Sequence, residues 1–199
     1  MPRSLADARH LRLGTCDPSG RGSRFFLASK RRREDDAHAP CPNMAAPLRE
    51  KRVAKERQKI DKHGLPPGIE LVDGDNLREW LFDIRVLDNN PIYQGQTYRL
   101  RFQFPQAYPI EPPEVTFEEK PNRPIPMHPH IYSNGIICLD LLGSQGWSPV
   151  QSAESVCMSI QSMLTSNTTK ERPQGDAEFV MLNRRRPRDI QFVYHDDTV

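Results

Sequence analysis

The chain has 199 residues, 28 of them basic and 26 acidic, so its formal charge is only +2. This length fits one domain of ordinary size with a tail, and the balanced charge gives no reason to expect nucleic acid or a membrane as a partner. No apolar stretch reaches the ~18 residues of a membrane span, and the four cysteines form no CxxC pair. We therefore expect a soluble, intracellular protein.

Residues 1–43 are predicted to form a disordered basic tail, because they are rich in Arg, Ser, Asp and Pro and show no helical or strand period. The basic run Lys30–Arg33 fits a nuclear address or a solvated linker, so we expect a location in the cytoplasm, the nucleus or both. Met44 precedes the first patterned segment, and we hypothesise that part of the tail is absent from the mature protein. Residues 44–199 are expected to form the folded domain.

The first predicted helix runs from Pro47 to His63, with proline near its start and Gly64 just beyond its end. The residues able to face a core are Leu48, Val53, Ala54 and Ile60. The basic residues on its other faces are Arg49, Lys51, Arg52, Lys55, Arg57, Lys59 and Lys62. Such a face is either a solvated surface or a docking surface for acidic partners.

Alternating apolar and polar residues predict three strands, at residues 78–87, 97–104 and 114–118. Turn residues between the first two make an antiparallel pair the expected arrangement. The predicted inward residues are Trp80, Phe82, Ile84, Val86, Tyr98, Leu100, Phe102, Phe104, Val115 and Phe117. Eight prolines between Pro105 and Pro129 then predict stiff, irregular chain.

Apolar residues at helical spacing predict a second long helix over residues 151–165, capped by Ser148 or Ser152. Cys157 lies on the apolar stripe of this helix, and we expect it to be a small residue of the core. A further short helix is expected near residues 178–184.

Cys138 is the candidate for chemistry, because it follows a turn at the end of irregular chain, and reactive groups often lie on loops of a rigid scaffold. A zinc site here would have only His128, His130, Cys138 and Asp140 as ligands, without the usual spacing, so we expect no metal. A Cys/His hydrolase would need a third group to orient the histidine, and its local signatures are absent. The pattern alone leaves a nucleophile and a structural cysteine open.

The motifs YPIEPPEVTF, HPHIYSNGIICLDLL, GWSP and SVCMSIQSML resemble, in this order, those of the ubiquitin-conjugating enzymes. The resemblance covers nearly the whole chain from Met44 onward. The family's signature is an HPN tripeptide, a turn, the active cysteine and then WSP, and here His130 replaces the asparagine of the tripeptide. This replacement and the terminal YHDDT resemble the W-type branch, which is associated with attaching ubiquitin to the α-amino group of substrate N termini.

The resemblance implies an α/β (α+β) ubiquitin-conjugating fold, with an N-terminal helix, a four-stranded antiparallel meander, an active-site loop and C-terminal helices. It implies that Cys138 accepts ubiquitin as a thioester from the ubiquitin-activating enzyme. No bound cofactor is expected, since ATP is used upstream by the activating enzyme. A RING or U-box ubiquitin ligase would then promote transfer to an amine.

His130 is the second candidate catalytic residue, because an imidazole can donate to a tetrahedral oxyanion or accept a proton from the amine. The alternative is that it only braces the loop. Supporting roles in the loop are expected for His128, which is locked before proline, for Asn134 in the turn, and for Asp140 near the exit path. The residues expected to contact ligases and the activating enzyme are Arg49, Arg52, Ile110, Pro149 and Val150.

The segment after the second helix favours an α-amino acceptor. Lysine-directed relatives carry aspartates there, whereas residues 167–173 contain only Glu171. An α-amino group has a pKa of about 7.7–8.0, so it needs less help than lysine, at about 10.4, to become a free nucleophile. Substrates with flexible N termini are the expected partners. Lysine-directed conjugation and a non-catalytic interaction module of the same fold are the alternatives.

Overall fold

The structure, a computed structural model, describes residues 47–190. The predictions for the tail, which contains Cys16 and Cys41, and for the terminal YHDDT lie outside the described residues. The described part contains an N-terminal helix, a four-stranded antiparallel sheet and two further helices, as expected for the α+β class. The elements are α1 Leu48–His63, β1 Ile69–Asp73, β2 Glu79–Ile84, β3 Tyr98–Gln103, β4 Glu114–Glu118, α2 Ala153–Ser166 and α3 Asp176–Leu182.

The four strands pair in chain order, each antiparallel to the next. Trp80 of β2 lies opposite Phe102 of β3, and Phe82 lies opposite Leu100, so the large apolar residues share one face of the sheet. These side chains belong to one buried cluster with Cys157, which is fully buried on α2. The predicted inward faces and the predicted core role of Cys157 are therefore confirmed.

β1 is the strand that the residue pattern does not reveal and that only the resemblance implies. It is a short edge strand in which Ile69 is buried and Leu71 half-buried, while its other three residues are exposed. Its register with β2 also shifts between Leu71 and Asp73. Two inward apolar residues followed by an irregularity give too little alternation to indicate a strand.

α1 has nearly the predicted bounds, but one of its expected core residues is different. Val53 and Ile60 are buried as predicted, whereas Leu48 is 52% exposed and does not face the core. The third buried residue is Glu56, which is charged. The hydrophobic pattern could not reveal this residue, because burial of a carboxylate depends on partners from other segments.

α2 begins at Ala153, and the second of the two predicted caps is the correct one. The Ser152 side chain accepts a hydrogen bond from the amide of Ser155, whose own hydroxyl accepts from the Ser152 amide. Pro149 therefore lies before the helix. α3 begins two residues earlier than predicted, after Gly175. In the part of the chain from 47 to 190, no helix has both the length and the apolar character that a membrane span would need.

Candidate active site

The turn before Cys138 is fastened to strand β4. Gly135 has φ +86°, and its carbonyl accepts a hydrogen bond from the Phe117 amide at 2.8 Å. The side chain of Asn134 accepts from the amide of Ile136 at 3.2 Å. A Cβ atom at position 135 would overlap the Phe117 carbonyl, lying 2.9 Å from its carbon and closer still to its oxygen. The predicted turn is thus present, and it requires glycine for both conformation and space.

His128 holds this loop through hydrogen bonds of its buried ring. Its ring is only 4% exposed, and Nδ1 accepts a hydrogen bond from the His130 amide at 2.9 Å. Nε2 therefore carries the hydrogen, and it lies 3.3 Å from the Met163 carbonyl of α2. Burial, followed by the neighbouring His130, lowers the pKa of His128 to about 4, so the ring is neutral near pH 7. His128 joins the active-site loop to α2.

This buried ring makes the stability of the fold depend on pH. An unfolded histidine has a pKa of about 6.5, so the unfolded state gains a proton first as pH falls. The stabilisation is complete above pH 6.5 and is lost as pH falls towards 4. We expect about 2 kcal/mol of this contribution to disappear between pH 7 and pH 5.

The measurement compares the wild type with His128→Gln, whose amide keeps a donor and an acceptor but cannot titrate. Urea unfolding at pH 7 and pH 5 gives the free energy of unfolding of each protein. The difference between the two proteins should move by about 2 kcal/mol in favour of the variant at pH 5. A difference that stays constant with pH would show that His128 is not the group responsible.

Cys138 and His130 are connected through their backbones. The Cys138 amide donates a hydrogen bond to the His130 carbonyl at 2.8 Å. The His130 side chain is exposed and Cys138 is half-buried, so both can meet a substrate. Cys157 differs in being fully buried, and burial raises the pKa of its thiol. Because the thiolate is the nucleophile, Cys138 is the better candidate of the two.

Asp140, the remaining predicted loop residue, is exposed and begins a short 3₁₀ turn that runs to Leu142. Its carbonyl accepts from the Gly143 amide at 2.8 Å. Within residues 47–190, no group of three or more His, Cys, Asp or Glu side chains is placed to hold a metal ion. Both ring nitrogens of His128, one of the four ligands considered, are directed to backbone groups of the protein.

An arginine that the sequence analysis missed holds the chain before the active-site loop. Arg172, between α2 and α3, lies within hydrogen-bond distance of three carbonyls: Ile125 at 3.1 Å, Pro126 at 2.6 Å and Ile131 at 3.0 Å. Asp176 at the start of α3 accepts from the Ser133 amide at 2.7 Å. No local signal could have revealed Arg172, because its partners are backbone groups more than forty residues away.

Three of the predicted partner residues lie on two exposed loops that contact each other. Ile110 is 66% exposed and Val150 is 84% exposed, and Pro149 is exposed beside it. The indole nitrogen of Trp147 donates to the Pro109 carbonyl at 2.8 Å and so joins the loops. The structure therefore presents two exposed apolar side chains from loops that are tied together.

The two predicted partner arginines are less accessible than a basic helix surface would suggest. The Arg49 side chain is only 11% exposed, and its Nε has no hydrogen-bond partner in the described part of the chain. The Arg52 guanidinium contacts Glu56 and the carbonyls of Pro149 and Gln151. The prediction that both present an outward basic surface is therefore wrong: the Arg49 side chain is largely buried, and the Arg52 guanidinium is directed to groups of the protein itself.

Comparison with known proteins identifies the family. Residues 52–192 match the sequence profile of the family described as "Ubiquitin-conjugating enzyme". The "Probable ubiquitin-conjugating enzyme E2 W" of Dictyostelium discoideum is 43% identical over 151 residues, which are 75% of this chain and 96% of that protein. The "Probable ubiquitin-conjugating enzyme E2 W-A" of Danio rerio is 38% identical over 152 residues, which are 75% and 97% of the two chains.

A solved structure agrees with the sequence relatives. The crystal structure of ubiquitin conjugating enzyme E2 UbcA1 from Agrocybe aegerita is 44% identical, with a TM-score of 0.67, and the match covers 71% of this chain and 99% of that chain. Members of this family work with ubiquitin, an activating enzyme and ubiquitin ligases, and they need no bound cofactor. The chain belongs to the ubiquitin-conjugating enzymes, in their W-type branch.

Proposed function

We propose that Cys138 carries ubiquitin as a thioester and that the enzyme transfers it preferentially to the α-amino group of a protein substrate. In the first step the Cys138 thiolate attacks the thioester carbonyl on the activating enzyme, a new C–S bond forms, and the activating enzyme's cysteine leaves. The half-buried loop position of Cys138, against the full burial of Cys157, supports this assignment. A free thiol with a pKa of about 8.5 is sufficiently ionised to attack an activated thioester.

In the second step the neutral amine of the substrate attacks the ubiquitin carbonyl on Cys138. The C–S bond breaks, the Cys138 sulfur leaves as thiolate, and the proton lost by the attacking nitrogen passes to a base or to water. Only the neutral amine is a nucleophile, and about a tenth or more of an α-amino group is neutral at pH 7, against less than about 0.1% of a lysine. This difference in pKa corresponds to about 3.4 kcal/mol.

The observation that carries the α-amino preference is the composition and packing of the segment between α2 and α3. Residues 167–175 contain one carboxylate, Glu171, which is exposed. The next carboxylate, Asp176, accepts a hydrogen bond from the Ser133 amide. Carboxylates can activate an amine by accepting its proton or by orienting it. An enzyme with few carboxylates here is better suited to an amine that is already partly neutral.

His130 is the residue we propose to assist this step. Its backbone lies next to the thiol through the Cys138 hydrogen bond, and its side chain is exposed. An imidazole there can accept the proton of the attacking amine or donate to the oxyanion of the tetrahedral intermediate. The hydrogen bonds that His130 makes within the loop come from its backbone, through its amide to His128 and its carbonyl to Cys138. We also propose that RING or U-box ligases are the partners that promote the transfer.

In the test, purified ubiquitin-loaded enzyme is incubated with either of two peptides that have the same sequence and contain a single lysine. The first peptide has a free N terminus, and the N terminus of the second is acetylated. We expect the free peptide to be modified at least about tenfold faster at pH 7. The advantage should shrink as pH rises above 8, because the lysine becomes neutral while the α-amine is already deprotonated. Mass spectrometry of the product locates the modified nitrogen.

His130→Asn, which restores the residue usual in the family, is the matched variant. We expect it to load ubiquitin normally and to lose several-fold in its rate with the free peptide, since it removes a proton acceptor. Equal use of the acetylated peptide by the wild type would instead support lysine-directed conjugation. An unchanged rate in His130→Asn would leave His130 only its backbone role.

A further inference from the structure

Glu56 is a buried carboxylate on a helix that is otherwise mostly charged and exposed, and it is 7% exposed. One of its oxygens accepts hydrogen bonds from Arg52 Nε at 2.6 Å and from the Tyr108 hydroxyl at 2.7 Å. The other oxygen accepts from the Ala153 amide at the start of α2, at 2.9 Å. A buried carboxylate is stable only with such partners. Glu56 thereby joins α1, the loop that follows β3, and α2.

Tyr108 is suited to remain a donor in this contact. Burial, together with the charge of Glu56, raises the pKa of its hydroxyl far above the usual value. Tyr108 lies two residues before Ile110, the exposed apolar residue of the same loop. The position of that loop is therefore linked to Glu56 through a hydroxyl that keeps its proton.

Arg52 extends the contact to the second exposed loop. Its two terminal nitrogens donate to the carbonyls of Pro149 at 2.8 Å and Gln151 at 2.6 Å, which are the residues on either side of Val150. The planar guanidinium can reach Glu56 and both carbonyls at once, which an ammonium group cannot reproduce. Val150 is 84% exposed but has its backbone held on both sides.

We infer that Arg52 and Glu56 are positioning residues that fix the loops carrying Ile110 and Val150, and that Arg52 serves ligases through Val150 without contacting them directly. This inference rests on the proposed function with ligases and on the expectation that Ile110 and Val150 are the residues that contact them. An apolar residue on an irregular loop loses conformational freedom when a partner binds, and holding the loop in advance reduces that cost. The buried network is therefore a determinant of how well the enzyme responds to a ligase.

The chain offers a matched control for this network. Lys59 of α1 contacts Glu154 of α2 at 2.6 Å, so this pair joins the same two helices as Glu56 does. Lys59 is 59% exposed, and within residues 47–190 its one ion pair is with Glu154, which lies on α2 and not on either loop. Exposed ion pairs usually contribute little. Lys59→Met should therefore lose the helix contact without affecting the loops.

The experiment uses the full chain, purified as its ubiquitin thioester, and follows discharge of ubiquitin to a free-amine peptide with and without a RING ligase. The ligase is chosen from a set of recombinant RING ligases as one that accelerates discharge by the wild type. We expect Arg52→Met to raise the ligase concentration needed for half-maximal discharge by about tenfold. Discharge of each purified thioester without ligase is measured as the reference rate for that variant, so that the ligase response is a ratio within one protein. Lys59→Met should match the wild type in both assays.

A double-mutant cycle with Val150→Ala separates positioning from direct contact. If Arg52 acts through Val150, adding Arg52→Met to Val150→Ala should weaken the ligase response by less than twofold beyond Val150→Ala alone. If the double variant instead loses the ligase response by the product of the two single losses, Arg52 contacts the ligase itself, and the inference is overturned. Arg52→Lys, which retains the charge, should show a smaller loss with the same non-additivity, and it serves as the second variant if the methionine variant does not fold.

Two failures can be told apart. If Val150→Ala alone leaves the ligase response unchanged, the proposed ligase surface is wrong and the inference falls with it. If Val150→Ala weakens the response but Arg52→Met and Arg52→Lys do not, the surface stands and the positioning role is wrong. Neither result concerns the thioester on Cys138, because each variant is purified as its thioester and its discharge without ligase is measured separately.

Discussion

Replacing Cys138 by alanine should abolish formation of the thiol-sensitive ubiquitin adduct when the protein is incubated with activating enzyme, ubiquitin and ATP. The sulfur atom is the only part of the proposed mechanism that forms a covalent bond to ubiquitin, so no other residue can replace it. Removing a catalytic nucleophile typically costs several powers of ten in rate, and we expect a loss of at least about a thousandfold in transfer to a peptide amine. Non-reducing electrophoresis, with and without added thiol, detects the adduct.

Cys138→Ser sharpens the same prediction. The hydroxyl differs from the thiol by one atom, but it is far less ionised and a poorer leaving group. We expect an adduct that forms slowly, resists added thiol and does not discharge to the peptide. This outcome would place the bond on residue 138 and not elsewhere in the chain.

Cys157→Ala is the control, since Cys157 is the other thiol in the described range and lies in the core. It should load ubiquitin like the wild type and lose about 1 kcal/mol of stability from the small cavity that it creates. An adduct that survives in Cys138→Ala, or that disappears in Cys157→Ala while the protein remains folded, would contradict the assignment of the thioester.

The central strands and the long helices could be predicted from sequence because their signal is local. In β3, residues 98, 100 and 102 are all apolar and buried, and the alternation is a direct consequence of the pleat. α2 likewise carries a continuous buried stripe. β1 lies at the edge with two inward apolar residues, so its membership in the sheet is set by pairing with β2 and not by its own pattern.

The position of Cys138 and the turn before it could also be predicted, whereas the contacts that hold the site could not. His128, Asn134 and Cys138 stand close together in the chain, and a motif can report them. Arg172 and Glu56 act on groups that are about 40 to 100 residues away, several of them backbone atoms. A sequence pattern cannot predict a hydrogen bond to a backbone carbonyl that comes within reach only after the chain folds.

For Arg52, the sequence pattern predicts a surface role, whereas the structure shows contacts within the protein. Basic residues are frequent around Arg52 on α1, and the helical pattern places it on a basic surface. The structure instead directs its guanidinium towards Glu56 and the carbonyls that flank Val150. A residue that resembles a partner contact in sequence can therefore direct its hydrogen bonds to groups of its own chain.

Gly135→Ala should be among the most destabilising single substitutions near the active site, at about 3 kcal/mol. Two causes add. The left-handed φ of +86° costs a residue with a Cβ about 1 kcal/mol, and the new methyl group would overlap the Phe117 carbonyl of β4. The turn would have to move away from the strand and would lose the hydrogen bond that the Phe117 amide donates to Gly135.

Gly95→Ala separates these two causes. Gly95 also has a positive φ, of +71°, but a Cβ placed there meets no atom of the described chain within 4 Å. Its substitution should cost only about 1 kcal/mol, so the two variants should differ by about 2 kcal/mol in urea unfolding. If both lose the same stability, the close approach of the turn to β4 is not what requires glycine. Because this turn leads directly to Cys138, Gly135→Ala should also slow ubiquitin loading under conditions where it remains folded, whereas Gly95→Ala should not.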